Sequence, residues 1–292
     1  MNGRRLGNLT IARALEMVMP FDRAAFFPGT RLADWEPYRE LLEPNAWNYA
    51  TDELQFPMQS YVVRTSHHTV LIDACVGNHK ERPHREAWHQ RNDGGYMDAL
   101  AALGLTPVDV DYVMCTHLHT DHVGWNTRLD NGRWVPTFPN ARYIFSKSEF
   151  DAWDANCDPK FTRTHFDDSV LPIVLAGRAD LVTNDYALDN EIWLAPTPGH
   201  TPDHVSINFA SNGHTAVMCG DLMHSPVQLA EPDWVPWPDF DADLAAKTRR
   251  AFCERYCDTS TLVCTAHFPL PSAGRIVRTG NAFGFEYEDG SW

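Results

Sequence analysis

Short apolar runs, most of them closed by Gly, Pro, Asn, Asp or Ser, punctuate this chain from end to end. Residues 8–18 read as a strand or two. Residues 20–58, rich in Pro, Trp and Phe without a clear period, are expected to form an ordered N-terminal extension. "QSYVVRT" (59–65) and "TVLIDA" (69–74) predict two strands joined through Ser66-His67-His68 as a hairpin. "GGYMDALAALG" (94–104) predicts a helix that stops on glycine. "DYVMC" (111–115) and "RYIFS" (142–146) predict short buried strands, and Ser146 is placed to cap a helix in "KSEFDAWDA". Downstream, "EIWLAP" (191–196), "HVSINFA" (204–210), "TAVMCGD" (215–221) and "TLVCTAH" (261–267) are strand-like. "DFDADLAAKTRRAFCERYC" (239–257) has the 3.6-residue rhythm of an amphipathic helix. The two halves echo one another: strands, a helix, then an apolar strand ending in His or Asp. That succession predicts an α/β fold of layered sheets with helices outside. No short repeat or low-complexity segment interrupts it.

Composition narrows the partners. A net charge of −15 over 292 residues repels phosphate backbones and anionic lipid surfaces, and no Lys/Arg cluster offsets it. Neither nucleic acid nor membrane is therefore expected as a partner. The seven cysteines are odd in number and lack a paired spacing, and Cys115, Cys219 and Cys264 lie inside apolar runs. They read as buried free thiols in a reducing compartment. With no uninterrupted apolar run near the N-terminus and none long enough to span a bilayer, a cytoplasmic chain is expected.

One stretch asks for chemistry. "CTHLHTDHVGW" (115–125) places three histidines and an aspartate within six residues, where a core would be harmed by them unless each found a partner. In an extended segment His117 and His119 face the same way and Asp121 continues that parity, whereas His122 joins them only if the chain turns, as Gly124 would permit. Imidazole nitrogens and carboxylate oxygens together suit zinc and its first-row neighbours. Further ligand-type residues close three other segments: His200 in "TPGHTPDH", Asp221 in "AVMCGD" and His267 in "LVCTAH". A carboxylate has two oxygens, so Asp221 could join two metals of the kind that sit about 3.5–4 Å apart in hydrolytic sites.

This set, His117-Leu-His119-Thr-Asp121-His122 followed by His200, Asp221 and His267, resembles the signature of the metallo-β-lactamase superfamily over about residues 59–270. The resemblance implies a four-layer αβ/βα sandwich with metals at one edge. His117, His119 and His200 would hold one cation, Asp121, His122 and His267 the other, with Asp221 between them. It also implies one domain over 1–292: an N-terminal extension (1–58), a metal-binding core (59–270) and a C-terminal segment (271–292). The expected cofactor is a pair of divalent transition-metal ions, zinc first, with iron, manganese or cobalt as alternatives.

Within the superfamily, Asp221 argues against antibiotic hydrolysis, the acidity against RNA processing, and the length against a flavodiiron protein. The chain is most similar to the branch of N-acyl-homoserine lactonases and methyl parathion hydrolase. The resemblance implies a hydrolase that opens a small hydrophobic lactone or cleaves a related ester. Phosphotriesterase, glyoxalase-like thioesterase and one-iron persulfide dioxygenase are the alternatives. Asp121 would orient the attacking oxygen and return its proton to the leaving group. Many lactonases of this branch use a tyrosine near the site; the only Tyr between His200 and His267 is Tyr256, on a predicted helix. His224 in "GDLMHSP" is the nearest polar substitute, unless it is a supporting hydrogen-bonding residue. Asp73 is either a carboxylate partner for a ligating imidazole or a turn residue. His204 is expected to be structural, and His67, His68, His79, His84, His89, His165 and His214 to lie at the surface or in turns. Phe26, Phe27, Trp35, Trp47, Trp125, Trp234 and Trp237 divide between pocket wall and core. Trp234 and Trp237 in "EPDWVPWPD" are the stronger wall candidates, and the same stretch could pack against a second copy in a homodimer.

Overall fold

The computed structural model describes residues 3–289. Its chain contacts resolve into two compact units. Among the described residues, one comprises 3–17 and Met58–Tyr186; the other comprises Val18–Pro57 and 187–289.

The first sheet runs in the order Arg4–Leu6, Leu9–Asp22, Glu53–Arg64, Thr69–Ile72, Tyr112–Met114, Arg142–Ser146, Ala179–Val182, with Trp47–Asn48 paired to Glu53–Arg64. Glu53–Arg64 and Thr69–Ile72 form the expected antiparallel hairpin, Tyr61 opposite Ile72. From Thr69–Ile72 onward the pairing is parallel. Parallel strands need crossovers that cover the sheet. Helices Gly95–Ala102 and Lys147–Asp154 supply buried Tyr96, Leu100, Phe150 and Trp153 to the same core as Val62, Leu71, Val113 and Phe145. Asp73 follows one of these parallel strands and the His117–His122 segment follows the next, so ligand-type residues emerge at strand carboxyl ends.

The second sheet runs Ile192–Pro196, Val205–Ser211, His214–Met218, Leu262–Cys264, Ala273–Thr279, Ala282–Tyr287. One pair, His214–Met218 with Leu262–Cys264, is parallel, and helix Ala242–Tyr256 is within its crossover. Asp241 caps that helix by accepting from the Leu244 amide at 3.0 Å. Phe252 and Cys253 of the helix pack with Val217, Val263 and Phe268. Asp221 and His267 follow the two parallel strands, again at carboxyl ends.

Two hairpins escape the apolar pattern. Thr127–Asp130 pairs with Arg133–Pro136 across Asn131-Gly132, both at positive φ, a turn signature that the sequence displays openly. In the C-terminal segment, Ala273–Thr279 pairs with Ala282–Tyr287. Glycines blur its alternation, and Gly274 is required because a Cβ there would lie 2.2 Å from the Glu286 carbonyl. Among the described residues no helix is long and apolar enough to cross a membrane.

Candidate metal centre

In the first unit strand Tyr112–Met114 gives out at Cys115, and Asp73 catches the chain as it leaves. The Thr116 amide donates to Asp73 Oδ1 at 2.8 Å and its hydroxyl to Oδ2 at 2.9 Å. A single helical turn, Thr120–Val123, follows. It replaces the extended parity expected from the sequence and swings His122 back, so the His117 ring centre lies 4.7 Å from that of His119 and 4.1 Å from that of His122. Gly124 does not make this turn through a left-handed conformation; its φ is −55°. It permits close approach instead. A Cβ on Gly124 would stand 1.9 Å from the Val76 carbonyl oxygen, where the Gly124 amide donates to Cys75 O at 2.7 Å and the Trp125 amide to Ala74 O at 2.6 Å. Buried Glu16 fastens both strips, accepting from the Val76 amide and the Trp125 indole N–H at 2.8 Å each. Burial raises its pKa against those two hydrogen bonds.

Asp73 also accepts from His122 Nδ1 at 2.8 Å. Of its two readings, imidazole partner and turn residue, the geometry supports both at once, since Asp73 itself stands at φ +56°. With Nδ1 so engaged, Nε2 is the nitrogen that could serve a metal ion. The same logic holds for His117, whose Nδ1 lies 3.1 Å from the Thr116 hydroxyl.

In the second unit each ligand-type residue has its own tether. His200 Nδ1 donates to Asp239 Oδ1 at 2.8 Å, and His267 Nδ1 to the Pro57 carbonyl at 2.9 Å. Their Nε2 atoms meet different oxygens of one carboxylate: His200 lies 3.4 Å from Asp221 Oδ2, His267 3.1 Å from Oδ1. His204 anchors the Asp221 backbone, receiving its amide N–H on Nε2 at 3.1 Å while Nδ1 bonds the Thr197 hydroxyl at 2.8 Å. Burial alone would lower the His200 pKa, but hydrogen bonds to Asp221 and Asp239 reverse that and lift it to about 9. Burial would raise Asp239, yet the His200 hydrogen bond and the Arg249 charge hold it below the usual carboxylate range. Without a cation, therefore, these carboxylates keep a proton on His200 that a metal would displace.

Asp239 and Arg249 were not anticipated from the sequence. Arg249 is fully buried and donates to the carbonyls of Leu222, Pro232 and Trp234 as well as to Asp239. Only an Arg inside an otherwise amphipathic helix hinted at it. His224 is also buried; its Nε2 lies 3.1 Å from Asp221 Oδ2, while Nδ1 has no partner. Desolvation lowers its pKa to about 4 despite the Asp221 charge. Its ring lies parallel to His267 at 5.6 Å, and Phe26 meets it edge-on at 5.1 Å. Phe27, Trp35 and Trp47 are fully buried, Trp125 stacks on Tyr96, and Trp234 packs on Trp35 and Tyr38, while Trp237 remains half-buried. One expectation is corrected: His165 is not a surface residue but 2% exposed, because helix Thr164–Ser169 turns it inward.

Two groups of ligand-type residues have atoms lying within 4.8 Å of one another: His117, His119, His200 and Asp221, and Asp121, His122, Asp221 and His267. All seven residues named from the sequence are present, Asp221 in both groups. Nitrogen and carboxylate donors in fours suit zinc or a first-row neighbour, and Asp121 alone among them is not fully buried.

The family model described as "Metallo-beta-lactamase superfamily" matches residues 56–267. An N-acyl homoserine lactonase of Bacillus cereus is 22% identical over 226 residues, 73% of this chain and 82% of that protein. N-acyl homoserine lactonase AttM of Agrobacterium fabrum is 34% identical over 119 residues; this covers 39% of this chain and only 41% of that protein. In fold, the chain is similar to AidC, a dizinc quorum-quenching lactonase solved in complex with a product, at a TM-score of 0.82 and 20% identity over 99% of this chain and 98% of that one. The chain belongs to the metallo-β-lactamase superfamily and has its α/β fold.

Proposed function

We propose that this chain is a dinuclear metal-dependent hydrolase that opens a lactone or cleaves a related small ester. The observation that carries the reading is Asp221, whose two oxygens each face the Nε2 of a different histidine and which belongs to both ligand groups. His117, His119 and His200 would hold one divalent ion, Asp121, His122 and His267 the other, and Asp221 both. Zinc is the proposed metal, as in AidC. When bound, such a pair supplies Lewis acidity and lowers the pKa of water from 15.7 to about 7.

The rest falls to the chain. Asp121, the more exposed of the two carboxylates in the set, would orient the attacking oxygen, hold its proton and return it to the departing alkoxide. His224 keeps its Nε2 proton toward Asp221, so Nδ1 is an acceptor, suited to receive the O–H of the opened product rather than to polarise a carbonyl. Phe26 and Phe56 beside His224 supply apolar surface for a hydrophobic substrate. The buried free thiols accord with a cytoplasmic setting.

Purified protein should carry about two transition-metal equivalents and hydrolyse an N-acyl homoserine lactone, and chelation should remove both properties. Full lactone hydrolysis by metal-free protein would overturn the reading. So would a preparation holding one iron that takes up oxygen with a persulfide. Hydrolysis confined to phosphotriesters or thioesters would keep the centre and replace the substrate.

A further inference from the structure

Arg249 is wholly buried, and no step of the proposed reaction uses it. Residues 231–239, between helices Val227–Ala230 and Ala242–Tyr256, form no regular element, and Pro232, Pro236 and Pro238 stand among them. Proline brings no N–H, so such a stretch cannot pair its own carbonyls in a helix or ladder, and buried ones need a donor from elsewhere. Arg249 is that donor. Its Nη1 donates to the carbonyls of Pro232 at 2.6 Å and Trp234 at 3.2 Å, and its Nη2 to Asp239 Oδ2 at 3.2 Å. Its Nε donates to the carbonyl of Leu222, next to Asp221, at 2.8 Å. One planar fork thus ties both ends of this strap to the chain beside Asp221.

The strap carries more than Asp239. Asp239 Oδ1 accepts from His200 Nδ1 at 2.8 Å, and just beyond it the Phe240 amide donates to the His200 carbonyl at 3.0 Å. On its apolar side the Trp237 amide donates to the Phe26 carbonyl at 2.9 Å, and the Phe26 ring meets His224 edge-on. Buried Gln228 joins the same parts. Its Nε2 donates to the Trp234 carbonyl at 3.0 Å, and its Oε1 accepts from the His224 amide at 2.7 Å. A ligand-type residue and the apolar surface near it therefore hang from one irregular segment, and that segment hangs from one guanidinium. Burying a guanidinium with a carboxylate returns little stability against the desolvation of both. A rigid fork of donors does fix direction, which neither an ammonium nor an apolar side chain would do.

We propose that Arg249 is a positioning residue with two effects: it fixes the direction of the His200 ring at the metal and the place of the Phe26–His224 surface that meets the substrate. The proposal rests on the metal-hydrolase reading. It adds that metal affinity and substrate affinity are set by the same buried contact.

The test measures three quantities on the full chain: Zn2+ affinity by chelator competition, the absorption spectrum with Co2+ bound, and KM and kcat for N-hexanoyl homoserine lactone. Arg249→Lys keeps the charge and loses the fork. It should weaken the ion held by His200 about tenfold and shift the Co2+ absorption. It should also raise KM about two- to tenfold, the scale of one hydrogen bond. Combined with Asp239→Asn, it should bind Zn2+ no more weakly than Asp239→Asn alone, because Arg249 reaches the metal through Asp239. Arg250→Gln, which opens only an exposed ion pair with Asp233, should match the wild type throughout. Additive losses of Zn2+ affinity would overturn the inference, as would an unchanged spectrum and affinity in Arg249→Lys, or an unmoved KM. If Arg249→Lys does not fold, Gln228→Met, which releases the strap at Trp234 and His224, should raise KM with a smaller loss of Zn2+ affinity. No change in either would overturn the inference too. All these failures leave a wild type that holds zinc and opens the lactone; a wild type that does neither sinks the hydrolase reading itself.

Discussion

In one unit four ligand-type side chains fall within the six residues His117–His122, which run into one helical turn; in the other, three stand apart in the chain at His200, Asp221 and His267. The first group shares its fastening. Asp73 holds both the Thr116 amide and the His122 ring, and Gly124 lies flat against Val76. In the second group each residue depends on a different partner: Asp239 for His200, His204 for the Asp221 backbone, Pro57 O for His267. A clustered arrangement is economical but fails as a block, whereas a dispersed one fails one ligand at a time.

The largest expected break in that comparison is steric. Gly124→Ala drives a methyl into the Val76 carbonyl at 1.9 Å, and Gly199→Ala, at φ +129°, drives one into the Ala245 backbone at 2.3 Å. Both should destabilise by several kcal/mol, about 4 or more. Metal analysis of whatever folds should separate them: Gly124→Ala is expected to lose both equivalents, Gly199→Ala to lose one preferentially. Similar metal losses from the two variants would contradict the block-versus-single contrast.

A smaller effect comes from the carboxylate tethers. Removing an outer partner of a ligating histidine typically costs about 10–100-fold in metal affinity. Asp73→Ala should reach the top of that range, because it also frees the Thr116 amide and hydroxyl. Asp239→Ala should weaken the ion held by His200 and spare the other. Competition with a chromophoric chelator would report both constants.

The smallest effect is on pH dependence, read by thermal melts of metal-free protein. His200 is raised to about 9 from an unfolded value near 6.5, so its stabilisation is complete below 6.5 and lost as pH rises to 9. His165 and His224, lowered to about 4, are held neutral in the fold. Their unfavourable protonation erodes stability as pH falls from 6.5 to 4. The metal-free protein should therefore be most stable near pH 6.5, and metal loading should flatten the alkaline limb by displacing the His200 proton. A melting temperature that climbs steadily to pH 9 without metal would contradict the assignment.

The contrast between the units also separates what could be read early from what could not. His117, His119, Asp121 and His122 announce themselves because four rare donors in six residues have few uses, and His200, Asp221 and His267 each close an apolar run or follow a Pro-Gly turn. The strands that carry them were visible for the same reason, since buried parallel strands are short continuous apolar runs. The Asn131-Gly132 hairpin was legible but passed over. The hairpin at Ala273–Tyr287 was obscured by glycines that its close strand packing requires.

The sequence alone determined the donor chemistry, the α/β class and the strand ends at which the donors emerge, because residue type and local periodicity are properties of short segments. Tertiary structure decided that His117, His122, His200 and His267 are each tethered through Nδ1. It also decided that Asp239, 39 residues from His200, is the carboxylate that orients it, and that His165 faces inward with an unpaired acceptor. Those outcomes depend on burial and on partners distant in the chain, and hydrogen-bond geometry between remote residues leaves no periodic trace in sequence.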